Sequence, residues 1–241
     1  FEERLTREIL QSERTRMLIL AGLSGSLVVT FPVYALGSGI FGTAWALQVV
    51  AVFVLLASYE LAIRQVVGRR LEQGKTLPRR LRFLNAFVET SVPSILILLG
   101  SRQVDPVYPL ESAAAYMYPV FIVLSTLRLD FRLSVFTGCV AAVEYVILSF
   151  ALVGGSEVAA GTLFALPPFH LAKGAMLVLA GFAAGFVADQ IKRRVMSVFL
   201  ALEERQRIVN AFGQQVSPAI VEELLKQGPE IPSKRTFVCV L

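Results

Sequence analysis

Cysteine, histidine and charge are all scarce in this chain of 241 residues. Two cysteines, Cys139 inside an apolar run and Cys239 near the end, are too few and too badly placed for a disulfide framework. A single histidine, His170, does not bring them to a zinc-binding set. Charged residues are 17% of the chain against 55% hydrophobic, and the mean hydropathy is +0.66, which excludes an ordinary soluble domain. The start of the sequence does not read as a signal peptide either. Residues 1–16, FEERLTREILQSERTR, stay charged for about four helical turns before the first apolar run. Leu5 and Ile9 stand four apart, so this segment reads as a short amphipathic helix at the inner membrane surface. No internal repeat is visible.

Long apolar runs are what the chain has instead. Six can be drawn, at Met17–Leu36, Ile40–Ile63, Phe83–Leu99, Ser112–Leu127, Leu133–Val153 and Leu171–Ile191. Each is close to the roughly 17 to 25 residues that a bilayer requires, the fourth being the shortest. The expected fold is an all-α polytopic membrane protein. Residues 17–191 form a six-helix transmembrane bundle of three hairpins, 192–230 a cytoplasmic helical linker with coiled coil, and 231–241 the start of a strand.

Basic residues orient the spans. Arg4, Arg7, Arg14 and Arg16 precede the first, and seven Lys or Arg residues between Arg64 and Arg82 join the second to the third. Arg128 and Arg132 join the fourth to the fifth, and Lys192, Arg193 and Arg194 follow the sixth. The alternate connections hold only Arg102. Both termini are therefore expected in the cytoplasm, with the chain in the plasma (inner) membrane. The net charge of +5 belongs to this pattern and not to nucleic-acid binding.

Ionisable side chains inside apolar runs mark candidate sites, and here they are Glu60, Glu89, Glu144, Lys173 and Asp189. Glu60 and Asp189 lie near span ends, where Arg64 and Lys192 are the expected partners. Glu89 is within reach of Arg128, as a structural ion pair. Glu144 lies about 16 Å into its span, beyond any Lys or Arg. It needs either a proton or a hydroxyl such as Tyr116 or Tyr118, and reads as a ligand or proton site or as a satisfied packing residue. Near the outer end Lys173, His170, Glu111 and Asp105 are candidates to converge with Tyr108, Tyr116, Tyr118 and Phe169 around a small-molecule or lipid ligand. Ordinary loop residues are the alternative. No spacing identifies a metal.

The sixth span carries the strongest pattern. Leu177, Gly181, Ala184, Ala188, Ile191, Val195, Val198, Leu202, Val209, Phe212 and Val216 lie on one heptad seam, with Arg205 its polar member. Gly181 and Gly185 form a G-x-x-x-G pair beside that seam. The expectation is one continuous helix that leaves the membrane and pairs with a second copy as a parallel homodimer.

Beyond it come Phe212-Gly-Gln-Gln-Val216-Ser217-Pro218-Ala-Ile-Val221-Glu-Glu-Leu224-Leu225, a Gly228-Pro229 break, Lys234-Arg235 and Thr236-Phe-Val-Cys-Val-Leu241. This string resembles the lead-in to the catalytic domain of bacterial membrane-anchored class III adenylyl (adenylate) cyclases. There an F-G-x-x-V-S-P helix precedes a basic pair and the first strand, and the metal-binding aspartate follows. The resemblance covers about the last thirty residues and none of the six spans. It implies a parent enzyme that makes cyclic AMP and pyrophosphate from ATP, with two Mg or Mn ions at a site shared between two catalytic domains. No residue of that chemistry lies before Leu241, so the expected role of this chain is anchor, dimerisation and sensor-transducer domain, without catalysis of its own. A purely structural anchor is the bland alternative. A multispan sensor kinase is the rival, but it needs a phosphoacceptor histidine on the cytoplasmic helix, and His170 lies on the other side. A transporter is disfavoured, because polar residues are few and no two spans are broken by Gly and Pro in matching positions.

Overall fold

The computed structural model describes residues 2–38, 42–73, 77–105, 107–154 and 166–213. Among them the secondary structure is helical throughout: α1 (Glu2–Ser38), α2 (Thr43–Glu72), α3 (Arg79–Thr90), α4 (Val92–Gly100), α5 (Val107–Glu111), α6 (Ala113–Ser125), a 3-10 turn (Thr126–Arg128), α7 (Phe131–Val153) and α8 (Pro167–Gly213). Six stretches are long and apolar enough to cross a membrane: Leu10–Val33, Thr43–Glu72, Arg79–Gly100, Val107–Arg128, Phe131–Val153 and Pro167–Asn210. The chain is a multi-pass helical membrane protein. The expected helix after Ser217 and strand from Thr236 lie outside the described residues.

The chain divides into two compact units, Phe1–Lys192 and Arg193–Leu241. In the first, α1 lies along α2, while α3, α4 and α6 pack on one another and on α7. Leu20, Trp45, Phe53, Leu96 and Phe121 centre one apolar cluster. A second gathers Ile97, Leu110, Ile122 and Ala141 with Tyr118 and Tyr145. Lipid is as apolar as these side chains, so close fit holds such helices together, and small residues set how close they come. Gly138 on α7 and Gly181 on α8 meet backbone to backbone, and Gly185 sits against the Phe131 ring. In the second unit the described part is the helical stretch 193–213, whose Val198, Leu200, Leu202 and Ile208 are exposed.

One departure from the sequence reading and one break beside a proline shape the site. The N-terminal segment is no separate surface helix, because α1 runs from Glu2 through the first span. Nothing between Arg16 and Met17 breaks a helix, and Glu13 and Arg16 are buried in the bundle. The third span is divided at Ser91. Pro93 has no N–H to give the Glu89 carbonyl, so one rung of the helical ladder is missing there. The rungs on either side survive, as Ser91 N donates to Phe87 O (3.0 Å) and Ile95 N to Ser91 O (3.2 Å).

Candidate functional site

Three polar groups occupy the first unit, one above another along its length. The first is an ionic cluster at the basic end. Glu89 uses both oxygens: Oε1 accepts from Asn85 Nδ2 (2.5 Å), and Oε2 accepts from Arg128 Nη2 (2.8 Å) and from Arg16. All four residues are buried. The expected Glu89–Arg128 pair is present, and Arg16 is a partner that the sequence reading missed. Arg82 extends the cluster, donating from Nε to Glu13 (2.7 Å) and facing Asp130 (3.4 Å). Arg82 and Arg128 also exchange guanidinium-to-carbonyl hydrogen bonds, each of 2.9 Å. Ser12 Oγ donates to Leu127 O (2.6 Å), so the start of α1 is tied to the turn before α7.

Glu60 departs from expectation. It is wholly buried, no ion pair joins it to Arg64, and neither of its oxygens receives a hydrogen bond. Its electrostatic neighbours are Glu89, Arg16 and Arg128. The inward face of α2 holds Glu60 among charges from α1, α3 and the 3-10 turn, while Arg64 lines an outward groove with Arg14.

The second group surrounds Glu144, halfway along α7. Ser91 Oγ donates to Glu144 Oε1 (2.6 Å), and Ser94 Oγ donates to Oε2. Ser94 also meets the Tyr118 hydroxyl at 2.7 Å. Of the two tyrosines named from the sequence, Tyr118 thus reaches Glu144 through a serine, whereas Tyr116 is 64% exposed. The serines sit at the divided turn of the third span, and the Ser91 hydroxyl lies between its own helix, with Phe87 O at 2.9 Å, and Glu144 on α7. Tyr118 stacks edge-on to Tyr145 at 6.4 Å.

The third group lies at the far end. Tyr145 OH is 3.1 Å from His170 Nδ1, and Lys173 Nζ donates to Glu111 Oε1 at 2.5 Å. Lys173 also stands over the Tyr145 and Phe169 rings at 5.5 and 5.3 Å, as a cation over π faces. Of these, Tyr145 and Lys173 line a cavity of about 340 Å³ with Tyr116, Pro119 and Met176. His170, Lys173, Glu111 and Phe169 therefore converge, and Tyr145 joins them. Asp105 does not: its carboxylate accepts from the Val107 amide (3.1 Å) at the start of α5. Tyr108 instead lines a separate apolar cavity of about 320 Å³ with Phe31, Trp45 and Met117. Tyr145 was legible as a tyrosine one residue from Glu144, but only the neighbouring α8 gives it a role.

On α8 the seam changes character along its length. Gly181, Ala184, Gly185 and Ala188 are buried within the single chain, with Gly181 and Gly185 against α7. Ile191 is 37% exposed, Val195 and Val209 are half-buried, and Val198 and Leu202 are exposed. Asp189 is half-buried. Phe212 lies in the helix, and its side chain is outside the description. Among the described residues no group of three or more His, Cys, Asp and Glu side chains is placed to hold a metal ion. Compared with family models, curated proteins and solved structures, the chain matches none of them.

Proposed function

We propose that this chain is the membrane anchor and sensor-transducer domain of a class III adenylyl cyclase, which pairs as a parallel homodimer and aligns two catalytic domains beyond Leu241. One observation carries the proposal most directly: α8 continues without a break from His170 and Lys173, beside the far-end cavity, to Gly213 in the Phe-Gly-Gln-Gln-Val-Ser-Pro string. A helix of this kind couples a site at one end to a register at the other. Both termini are placed in the cytoplasm, on the strength of the basic connections and of Lys192, Arg193 and Arg194 after the sixth span. The spans then pair as three hairpins.

The pairing surface assigned to this helix joins the exposed Ile191, Val198 and Leu202 with the half-buried Val195 and Val209 along the heptad seam. Since the implied active site is shared between two chains, pairing raises the effective concentration of one catalytic domain at the other. Ligand occupancy of the cavity beside Lys173 and Tyr145 shifts the balance between two registers of the paired helices, by its difference in affinity for them. The Mg or Mn ions of the chemistry belong to residues beyond Leu241.

The test is to join the chain, through its own Lys234-Arg235 lead-in, to a class III catalytic domain and insert one to four alanines after Arg194. Cyclase activity should vary with the insertion as the helix turns by about 100° per residue. Equal activity for all insertions, or for the catalytic domain alone in the membrane, sinks the transducer reading and leaves at most an anchor.

A further inference from the structure

Outside the polar groups above, the basic end holds a second feature with no role so far: an outward groove of about 380 Å³ between α1 and α2, lined by Gln11, Arg14, Thr15, Leu18, Ile19 and Arg64. Its two guanidinium groups have no acidic partner among the described residues. Ion pairs among the described residues engage Arg16, Arg82, Arg128 and Lys173 instead. Arg64 Nε is shielded from solvent and makes no hydrogen bond. The Arg14 guanidinium lies over Gly68, with Cζ, Nε and Nη2 all 3.8–3.9 Å from where a Cβ would stand. A Cβ at position 68 would make ordinary van der Waals contact with that group, so Arg14 packs along α2 beside the groove that Arg64 also lines.

Two like charges lining one groove repel unless an anion offsets them. The apolar wall narrows the choice of anion. Leu18 is 51% exposed and Ile19 38%, and both follow Arg14 into the first span, away from the charged end. The groove is therefore cationic at the membrane boundary and apolar where the hydrocarbon begins. We propose that it is a binding site for an anionic phospholipid, with the phosphate between Arg14 and Arg64 and an acyl chain along Leu18 and Ile19. Guanidinium groups take phosphate oxygens in pairs, which a hydrated lysine does not do. Thr15 already donates its hydroxyl to Gln11 O (3.1 Å), so the arginines and the Gln11 amide are the donors toward the phosphate. The inference stands apart from the cyclase reading and rests only on the spans.

The experiment uses the purified full chain in nanodiscs of phosphatidylcholine, with phosphatidylglycerol titrated in. Bound lipids are counted by native mass spectrometry and stability is followed by thermal unfolding. The wild type should prefer phosphatidylglycerol by about 30-fold, the worth of two interfacial arginines. Arg14→Gln with Arg64→Gln should lose that preference. Arg69→Gln with Arg70→Gln, on the same helix outside the groove, should keep it. Equal retention of the two lipids by the wild type overturns the proposal, and that result does not depend on any variant folding. So does a double groove variant that still prefers phosphatidylglycerol, or inorganic phosphate that reproduces the stabilisation without lipid.

Discussion

A methyl group placed on Gly138 would stand 2.6 Å from the α-carbon of Gly181. The two glycines let the backbones of α7 and α8 meet with no room for a side chain between them. Gly138→Ala and Gly181→Ala each force the helices apart and should lower unfolding stability by about 1–3 kcal/mol. Gly22→Ala and Gly25→Ala, which meet nothing within 4 Å, should be neutral or stabilising by up to about 1 kcal/mol. Thermal unfolding of the four variants in one lipid composition checks the contrast, and equal effects would mean that the contact is not a determinant.

The two buried glutamates at the basic end should behave oppositely. Glu89→Gln leaves Arg16 and Arg128 with one fewer negative charge in a desolvated site, and about 3–5 kcal/mol of stability should be lost. Glu60→Gln replaces a carboxyl that receives no hydrogen bond with a neutral group of the same shape. Its unfolding midpoint should stay or rise. A loss at Glu60 as large as that at Glu89 would contradict the cluster as drawn.

Glu144 distinguishes a polar lock from a ligand site. Glu144→Gln keeps an acceptor for one serine and offers a donor to the other, so its stability should change by less than about 1 kcal/mol, in keeping with the modest worth of hydrogen bonds inside membranes. Glu144→Leu should destabilise more, since Ser94 and Tyr118 lose the end of their chain. If Glu144→Gln also abolishes a ligand response of the protein while stability holds, the residue carries signal as well as structure.

Lys173 and Glu111 are each about a third exposed, and solvent weakens their attraction. Glu111→Gln should cost no more than about 1 kcal/mol. Its informative readout is ligand binding at the cavity beside Tyr145: a changed ligand profile with unchanged stability assigns the pair to recognition.

The proposed helix pairing can be tested by cysteine crosslinking with Cys139 and Cys239 replaced. Cysteines at Val198 and Leu202 should link two chains. Cysteines at Ala184 and Ala188, buried within one chain, should not. Crosslinks between chains at all four positions would require the sixth span to leave α7, and none at any of them would remove the parallel dimer.

The particular residues show how far a single sequence reaches. Glu89 with Arg128 was legible because both carry charge beside apolar runs and few partners compete. Arg16 was not, since the charged start of the chain looks like a segment resting on the surface until α1 is seen to continue into the bundle. The convergence of His170, Lys173 and Glu111 was also legible, whereas Tyr145 needed α8 beside it. The G-x-x-x-G pair fits a second chain or a neighbouring span equally well on paper, and here it meets Gly138 and Phe131.

The sequence by itself determined that this is a helical membrane protein with six spans. Transfer of a segment into lipid depends on its own length and composition, and both are written locally. The rotation of each helix was decided only by the tertiary structure. Rotation turns Glu60 inward and Arg64 outward, gives Glu144 its two serines, and buries Gly181 in its own bundle. In lipid no difference in hydrophobicity selects one apolar face over another, so close packing and the pairing of a few polar groups make that choice.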